Sequence, residues 1–246
     1  MAKYWISSIA LVVFLATPVL ANTAPDSDRD RVPDKDEVGI YKTDPENPDT
    51  DGDGFGDWEE LNTGFSPLNP KKVKLEDNDF DNDGLSDRME LKFGTDLSNK
   101  DSDGDGFNDG DEINRGYDPL NGENAKLQKK IKIILKNQDL EYYLGKVRLN
   151  TFKVSTGKRS MPTPKGEYKV LNKSKKAWSK DYGLWMPYWL GLGKFGIHEL
   201  PIWPNGYREG ANHLGIPVSH GCIRLGIGPA KPLFDWAEVG TKVVIE

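Results

Sequence analysis

An Asp-x-Asp-x-Asp triplet recurs four times in the first half of the chain, at Asp26–Asp30, Asp49–Asp53, Asp79–Asp83 and Asp101–Asp105. Each triplet is followed four residues later by another Asp and three beyond that by a Glu. In the last three copies it also runs into Gly54, Gly84 and Gly106. The full sets are Asp49, Asp51, Asp53, Asp57 and Glu60; Asp79, Asp81, Asp83, Asp87 and Glu90; and Asp101, Asp103, Asp105, Asp109 and Glu112. A segment of this kind cannot fold around an apolar interior. Residues 22–124 carry 30 acids against 11 bases, so folding requires something that neutralises the repulsion. The spacing supplies the candidate, because the residues fall at positions 1, 3, 5, 6, 9 and 12 of the twelve-residue calcium loop. A hard cation takes six to eight oxygens, alternate carboxylates on a tight loop converge on one point, and Gly permits the φ > 0 turn. The carbonyls of Phe55, Leu85 and Phe107 would add the position-7 oxygen. An acidic run is usually a solvated face, but random acidity does not repeat a six-position pattern three times. The expected role of calcium is structural, a metal-rigidified spacer or stalk.

The loops do not make EF-hands. Asp44-Pro-Glu-Asn-Pro-Asp precludes an entering helix at the second copy, and starts spaced 23, 30 and 22 residues apart leave room for one helical turn after each Glu. The tails Thr63-Gly-Phe-Ser-Pro-Leu-Asn-Pro, Thr95-Asp-Leu-Ser-Asn and Tyr117-Asp-Pro-Leu-Asn are alike. Over residues 26–122 the chain resembles the bacterial thrombospondin type 3 repeats, which implies loops stacked around calcium with little regular secondary structure or apolar core. The first copy departs from the pattern at Arg31, which replaces the Gly, and its site is expected to be weak or degenerate.

The formal charge of −6 hides a division, since residues 125–246 carry 9 acids and 21 bases. We therefore expect two modules, 22–124 and 125–246, the second long enough for its own core. Ahead of them, Lys3 precedes an apolar run from Ile6 to Val19, shorter than a membrane span, and Val19-Leu20-Ala21 offers small residues at a cleavage spacing. Residues 1–21 read as a secretory signal peptide. That places the chain in the periplasm or cell envelope with no stable membrane span after cleavage. A single Cys cannot form an internal disulfide, so a lone thiol in an oxidising compartment asks for a chemical role.

The basic half reads as mostly β. Ile131-Lys-Ile-Ile-Leu, Glu141-Tyr-Tyr-Leu-Gly-Lys-Val-Arg-Leu, Phe152-Lys-Val-Ser-Thr, Glu167-Tyr-Lys-Val-Leu and Lys242-Val-Val-Ile are short branched or aromatic runs bounded by turn residues. Only Pro229–Val239 reads as a helix. Leu184-Trp-Met-Pro-Tyr-Trp-Leu, with Trp185 and Tyr188, is either core or a substrate wall. All three histidines, His198, His213 and His220, lie in the 25 residues ending at Cys222. An imidazole can take the proton of a neighbouring thiol to give a thiolate–imidazolium pair. Zinc is the competing chemistry, but His220 and Cys222 are two apart and no second thiol exists, so it ranks low.

Ser219-His220-Gly221-Cys222-Ile223-Arg224-Leu225, preceded by Gly196-Ile197-His198, resembles the signature of the L,D-transpeptidase (YkuD-like) catalytic domain. Val154-Ser-Thr-Gly, Pro162-Thr-Pro-Lys-Gly-Glu-Tyr and Met186-Pro-Tyr-Trp resemble that family's framework. The resemblance covers residues 128–246 and implies a YkuD-like β-sandwich with a short helix. It makes Cys222 the nucleophile and His198 its base, with Ser219, His220 and Gly221 shaping the site and Arg224 contacting substrate. Backbone N–H groups around Gly221 and Cys222 would be the oxyanion donors. The implied partner is the peptidoglycan stem peptide, not nucleic acid, and catalysis needs no cofactor. The implied reaction is acyl transfer with 3→3 crosslinking in wall biogenesis. The alternatives are an L,D-carboxypeptidase or endopeptidase on the same fold, or a calcium-dependent wall-binding protein. Two departures affect substrate preference: the longer stretch between His198 and Ser219, built on Leu200–Gly210, and Glu199 where Gly is frequent. His213, in that stretch, is a possible substrate contact.

Overall fold

The computed structural model describes residues 24–246; the expected signal peptide, residues 1–21, lies outside them. No helix among the described residues is long and apolar enough to cross a membrane.

In the basic half, period-two alternation builds the sheet. In β1 (Lys129–Ile134), Ile131 and Ile133 are fully buried on either side of Lys132, and in β9 (Lys242–Ile245) Val243 and Ile245 are buried likewise. The two strands pair in parallel with Ile131 opposite Val243 and Ile133 opposite Ile245, so their apolar residues stack on one face. Between β1 and β9 in chain order come β2 (Asp139–Leu144), β3 (Val147–Ser155), β4 (Gly166–Lys169), β5 (Asn172–Ser179), β6 (Leu184–Gly191), β7 (Gly196–Glu199) and β8 (Ile223–Leu225). Among the described residues these nine strands follow the order β4-β9-β1-β2-β3-β8-β7-β6-β5. The long β3 serves both halves of the order: it pairs with β2 over most of its length and with β8 at Val154 and Ser155. The sheet thereby curls on itself. One core draws Ile131, Leu140 and Val243 from one half and Leu190, Ile197 and Ile223 from the other. The helix α5 (Ala230–Trp236) closes that core with Leu233 and Phe234, inside the span read as helical from sequence. Each such side chain, fully buried, contributes about 1.5–3 kcal/mol.

In the acidic half, three seven-residue helices, α2 (Asp57–Thr63), α3 (Asp87–Phe93) and α4 (Asp109–Arg115), start at loop position 9 and end one turn after the Glu. Each stops at a Gly in the left-handed region: Gly64 at φ 86°, Gly94 at 82° and Gly116 at 87°. A side chain resists that conformation, which is why a Gly directly follows each of the three helices. The first copy has instead a short helix α1 (Asp34–Asp36) running into a π-turn, Glu37–Tyr41. The core of this module is small. Leu85 and Ile113 meet Leu144 of β2, with Met89, Phe93, Leu127 and Leu149 around them, so the last two repeats rest on the sheet of the basic half.

Candidate active site

Strands β7 and β8 run parallel, with Ile197 opposite Ile223 and His198 opposite Arg224. Continuing that register one residue back sets Cys222 beside Gly196. Alternate residues share a face, so Cys222, Arg224 and His198 project to one side while Ile197 and Ile223 enter the core. A Cβ at Gly196 would come within 2.7 Å of the Trp189 ring. The glycine therefore lets Trp189 lie against His198, ring centroids 6.0 Å apart.

His198 is buried, and its Nδ1 lies 2.6 Å from the Glu199 carbonyl oxygen. A carbonyl only accepts, so Nδ1 carries the proton and Nε2 is left as the basic nitrogen. Burial pushes the imidazole pKa down to about 4; the Glu199 carbonyl opposes the shift and the Arg224 charge adds to it. Burial also raises the Cys222 thiol, against smaller lowering effects from the Gly196 backbone and Arg224. Both shifts disfavour the expected resting thiolate–imidazolium pair and favour thiol beside neutral imidazole.

The turn that carries the thiol is braced throughout. Gly221 sits at φ 116° with nothing within 4 Å of a would-be Cβ, so backbone conformation rather than space requires glycine there. Ser219 is buried; its Oγ donates to the Cys222 carbonyl at 2.5 Å and accepts from the Gly221 N–H at 3.1 Å. Thr163 Oγ1 donates to the Gly221 carbonyl at 2.9 Å and accepts from the Gly157 N–H at 2.8 Å. Thus the Val154-Ser-Thr-Gly and Pro162-Thr segments clamp the turn. The Gly221 N–H, one of the two expected oxyanion donors, is already engaged, which leaves the Cys222 N–H for that role.

Cys222, His198, Ser219, His220 and Arg224 line one cleft, together with Tyr182, Leu184, Met186, Trp203 and Glu209. His220 is exposed at its mouth, stacked on Tyr182 at 4.6 Å, with Nε2 accepting from Lys158 at 3.2 Å. Desolvation, then the charges of Lys158 and Arg224, lower its pKa. Arg224 pairs through Nη1 with Glu209, whose Oε2 also lies 3.4 Å from His213 Nδ1. Glu199 pairs with Arg208. These two ion pairs fasten the C-terminal end of the Leu200–Gly210 stretch, at Arg208 and Glu209, to strands β7 and β8.

Two expected substrate contacts fall elsewhere. Trp185 packs on Trp178 at 4.8 Å and under Lys176 at 4.6 Å, and Tyr188 packs on Phe234 of α5 at 5.7 Å. Neither lines the cleft. In β6, Leu184 and Met186 take the site-facing phase, so Trp185 faces away, and Tyr188 sits at a positive φ of 52° that breaks the alternation. His213 reaches Glu209, not the cleft wall. Leu184 and Met186 were findable as an i, i+2 pair once the phase was known; Trp203 and Glu209 come from a loop with no periodicity.

The repeats form four separate clusters. Within each triplet the carboxylate oxygens lie within 4.8 Å of one another. In the last three loops Asp51, Asp81 and Asp103 each keep one buried oxygen, and the buried Glu60, Glu90 and Glu112 both oxygens, without a hydrogen-bond partner among the described residues. Burial first, and the neighbouring Asp charges next, push Glu60 up to about 8, Glu90 to about 9 and Glu112 to about 7. Unpaired buried carboxylates of this kind fit a hard divalent cation. The position-9 residues are used differently. Asp57 accepts from the Thr50 N–H and hydroxyl at 2.9 and 2.6 Å, and Asp109 from the Ser102 N–H and hydroxyl at 2.9 and 2.5 Å. Asp87 accepts from Ser66, Asn78 and the Phe80 N–H. Their oxygens tie the loop closed instead of facing the cluster.

Comparison with known proteins matches two families to separate parts of the chain. The L,D-transpeptidase catalytic domain (YkuD) matches residues 128–245, and the bacterial TSP3 repeat matches residues 49–70, 79–96 and 101–122. A putative L,D-transpeptidase, YciB, of Bacillus subtilis is 31% identical over 139 residues, covering 52% of this chain and 72% of that protein. A putative L,D-transpeptidase, YkuD, of Bacillus licheniformis is 29% identical, covering 47% of this chain and 64% of that one. Among solved structures, an L,D-transpeptidase from Stackebrandtia nassauensis is 27% identical with a TM-score of 0.43; the match covers 50% of this chain and 57% of that structure, less than two thirds of its length.

Proposed function

The chain belongs to the L,D-transpeptidase family, and from that premise we propose that it is an exported cysteine acyltransferase acting on peptidoglycan stem peptides, with calcium holding its N-terminal repeats in shape. The observation that carries this reading is the shared cleft of Cys222 and His198, in which Nδ1–H is committed to the Glu199 carbonyl and Nε2 is free to accept a proton.

The residues support a general-base route. As Sγ of Cys222 attacks the carbonyl of the L-centre of the diamino acid, its proton passes to Nε2 of His198. The Cys222 N–H donates to the developing oxyanion. Arg224, whose charge favours the thiolate, stabilises negative charge in the same cleft. The imidazolium then protonates the amine of the departing D-Ala, leaving a thioester on Cys222. A neighbouring stem's amine, its proton taken by His198, attacks the thioester to form the 3→3 crosslink and expels Sγ of Cys222, which takes that proton back from His198; water in place of the amine would give carboxypeptidase chemistry. Leu184, Met186 and Trp203 make the cleft apolar enough to limit water around the thioester.

In the repeats, Asp49, Asp51, Asp53 and Glu60, with the Phe55 carbonyl, would hold one cation; the corresponding residues of the next two loops would hold two more. Asp57, Asp87 and Asp109 brace the loops in this arrangement. Calcium supplies charge neutralisation and rigidity, and catalysis does not pass through it. Incubation of muropeptides with enzyme, followed by product mass, tests the activity: linked dimers with loss of alanine support transpeptidation, monomers trimmed by one alanine support hydrolysis, and unchanged substrate refutes both.

A further inference from the structure

We infer that the first repeat, Asp26 to Glu37, is a fourth calcium site, although Arg31 stands where the other loops have glycine. The inference rests on the reading that the other three repeats bind calcium, and it concerns a segment outside the TSP3 match.

The substitution leaves the loop intact. Arg31 adopts φ 89°, beside 97°, 94° and 97° for Gly54, Gly84 and Gly106. Its N–H donates to Asp26 Oδ2 at 3.3 Å, as the Gly54, Gly84 and Gly106 N–H groups donate to Asp49, Asp79 and Asp101 at 3.0, 3.0 and 2.8 Å. The next bond is kept as well: the Val32 N–H donates to Asp30 Oδ1 at 2.6 Å, matching Phe55 to Asp53 at 2.8 Å. Asp34 accepts from the Ser27 N–H and hydroxyl at 2.7 and 2.8 Å, the same brace that Asp57 forms with Thr50. The guanidinium turns away from the carboxylates and lies 4.8 Å from the Trp58 ring of the following repeat. The strain of a left-handed arginine is thus held by a contact between repeats.

Independent evidence for a ligand comes from Glu37. It is completely buried, and its Oε2 has no partner among the described residues. Buried oxygens of Asp26 and Asp28 are likewise unpaired. Glu37 stands at loop position 12, the place that the buried and unpaired Glu60, Glu90 and Glu112 hold in the other three loops. Among the described residues no backbone N–H donates to the Val32 carbonyl, the position-7 oxygen of this loop. Oε1 of Glu37 accepts from Thr43 Oγ1 at 3.1 Å, so this site offers one Glu oxygen where the others offer two. It should therefore fill last.

The site is also joined to its neighbour. Asp30 Oδ2 accepts from the Trp58 N–H at 3.3 Å, and Asp83 Oδ2 accepts from the Gly110 N–H at 2.8 Å. In both cases a position-5 carboxylate of one loop meets position 10 of the next. The four loops therefore form two like pairs, and the first repeat completes a pair.

Equilibrium dialysis of the whole chain against calcium, with bound metal counted by atomic emission, decides the matter. The expected count is four ions per chain, three for Glu37→Gln, and four for Arg31→Gly. A wild-type count of three, or four retained by Glu37→Gln, overturns the inference while leaving the three-site reading standing; a count of zero removes both. Should Glu37→Gln lose every ion through unfolding, Asp28→Asn replaces it, with three ions expected and four contradicting.

Discussion

His198 and Arg224 stand opposite each other across the parallel pair β7–β8, each two residues beyond the facing positions of Gly196 and Cys222. One strand pair thus sets the base, the nucleophile and a fixed positive charge on one face. The arrangement makes the protonation state of His198 the control on the reaction.

The pH dependence follows from the buried imidazole. Because burial lowers its pKa to about 4, neutral His198 persists well below the ordinary histidine range, and activity on the acid side should fall only as pH drops through about 4. A kcat/KM profile whose acid limb lies near 6.5 would contradict the assigned environment. Replacing His198 by Ala should lower kcat by about 10²–10⁴, the usual worth of a positioned base.

Glu209 holds Arg224 and touches His213. In Glu209→Ala the Arg224 guanidinium keeps its burial and loses its anion, a change that costs about 3–5 kcal/mol when a buried pair is broken on one side. Thermal or denaturant unfolding should show that loss, and KM should rise as the Leu200–Gly210 stretch is freed. Unaltered stability would mean that the pair is solvated in solution.

Calcium binding to the folded repeats adds RT ln(1 + [L]/Kd), about 2.7 kcal/mol per site at a hundredfold excess over Kd. Chelation should lower the melting of the repeat module and expose it to proteolysis. The catalytic core, with its own apolar interior, should melt nearly as before. A single transition unaffected by chelator would refute the metal loops.

Much of this was legible in the sequence because it is local. The calcium loops are contiguous twelve-residue patterns, and the turn around Cys222 is one unbroken motif. What stayed hidden depends on distant pairing. The phase of β6 decides that Leu184 and Met186, not Trp185, face the cleft, and that phase is set by neighbouring strands and by the positive φ of Tyr188. The ion pairs of Glu199 and Glu209 join residues of a loop to strands whose order no local pattern reveals. The position-9 aspartates matched the calcium pattern by spacing alone; only the hydrogen bonds from Thr50 to Asp57, from Ser66, Asn78 and Phe80 to Asp87, and from Ser102 to Asp109 show that their oxygens are already taken.

The central claim is that Cys222 carries the acyl group, and intact-protein mass spectrometry with muropeptide product analysis tests it most directly. Wild-type enzyme incubated with tetrapeptide muropeptides should show a stem adduct on Cys222 and release alanine, whereas Cys222→Ala should show neither. Product formation by Cys222→Ala at the wild-type rate would contradict the account.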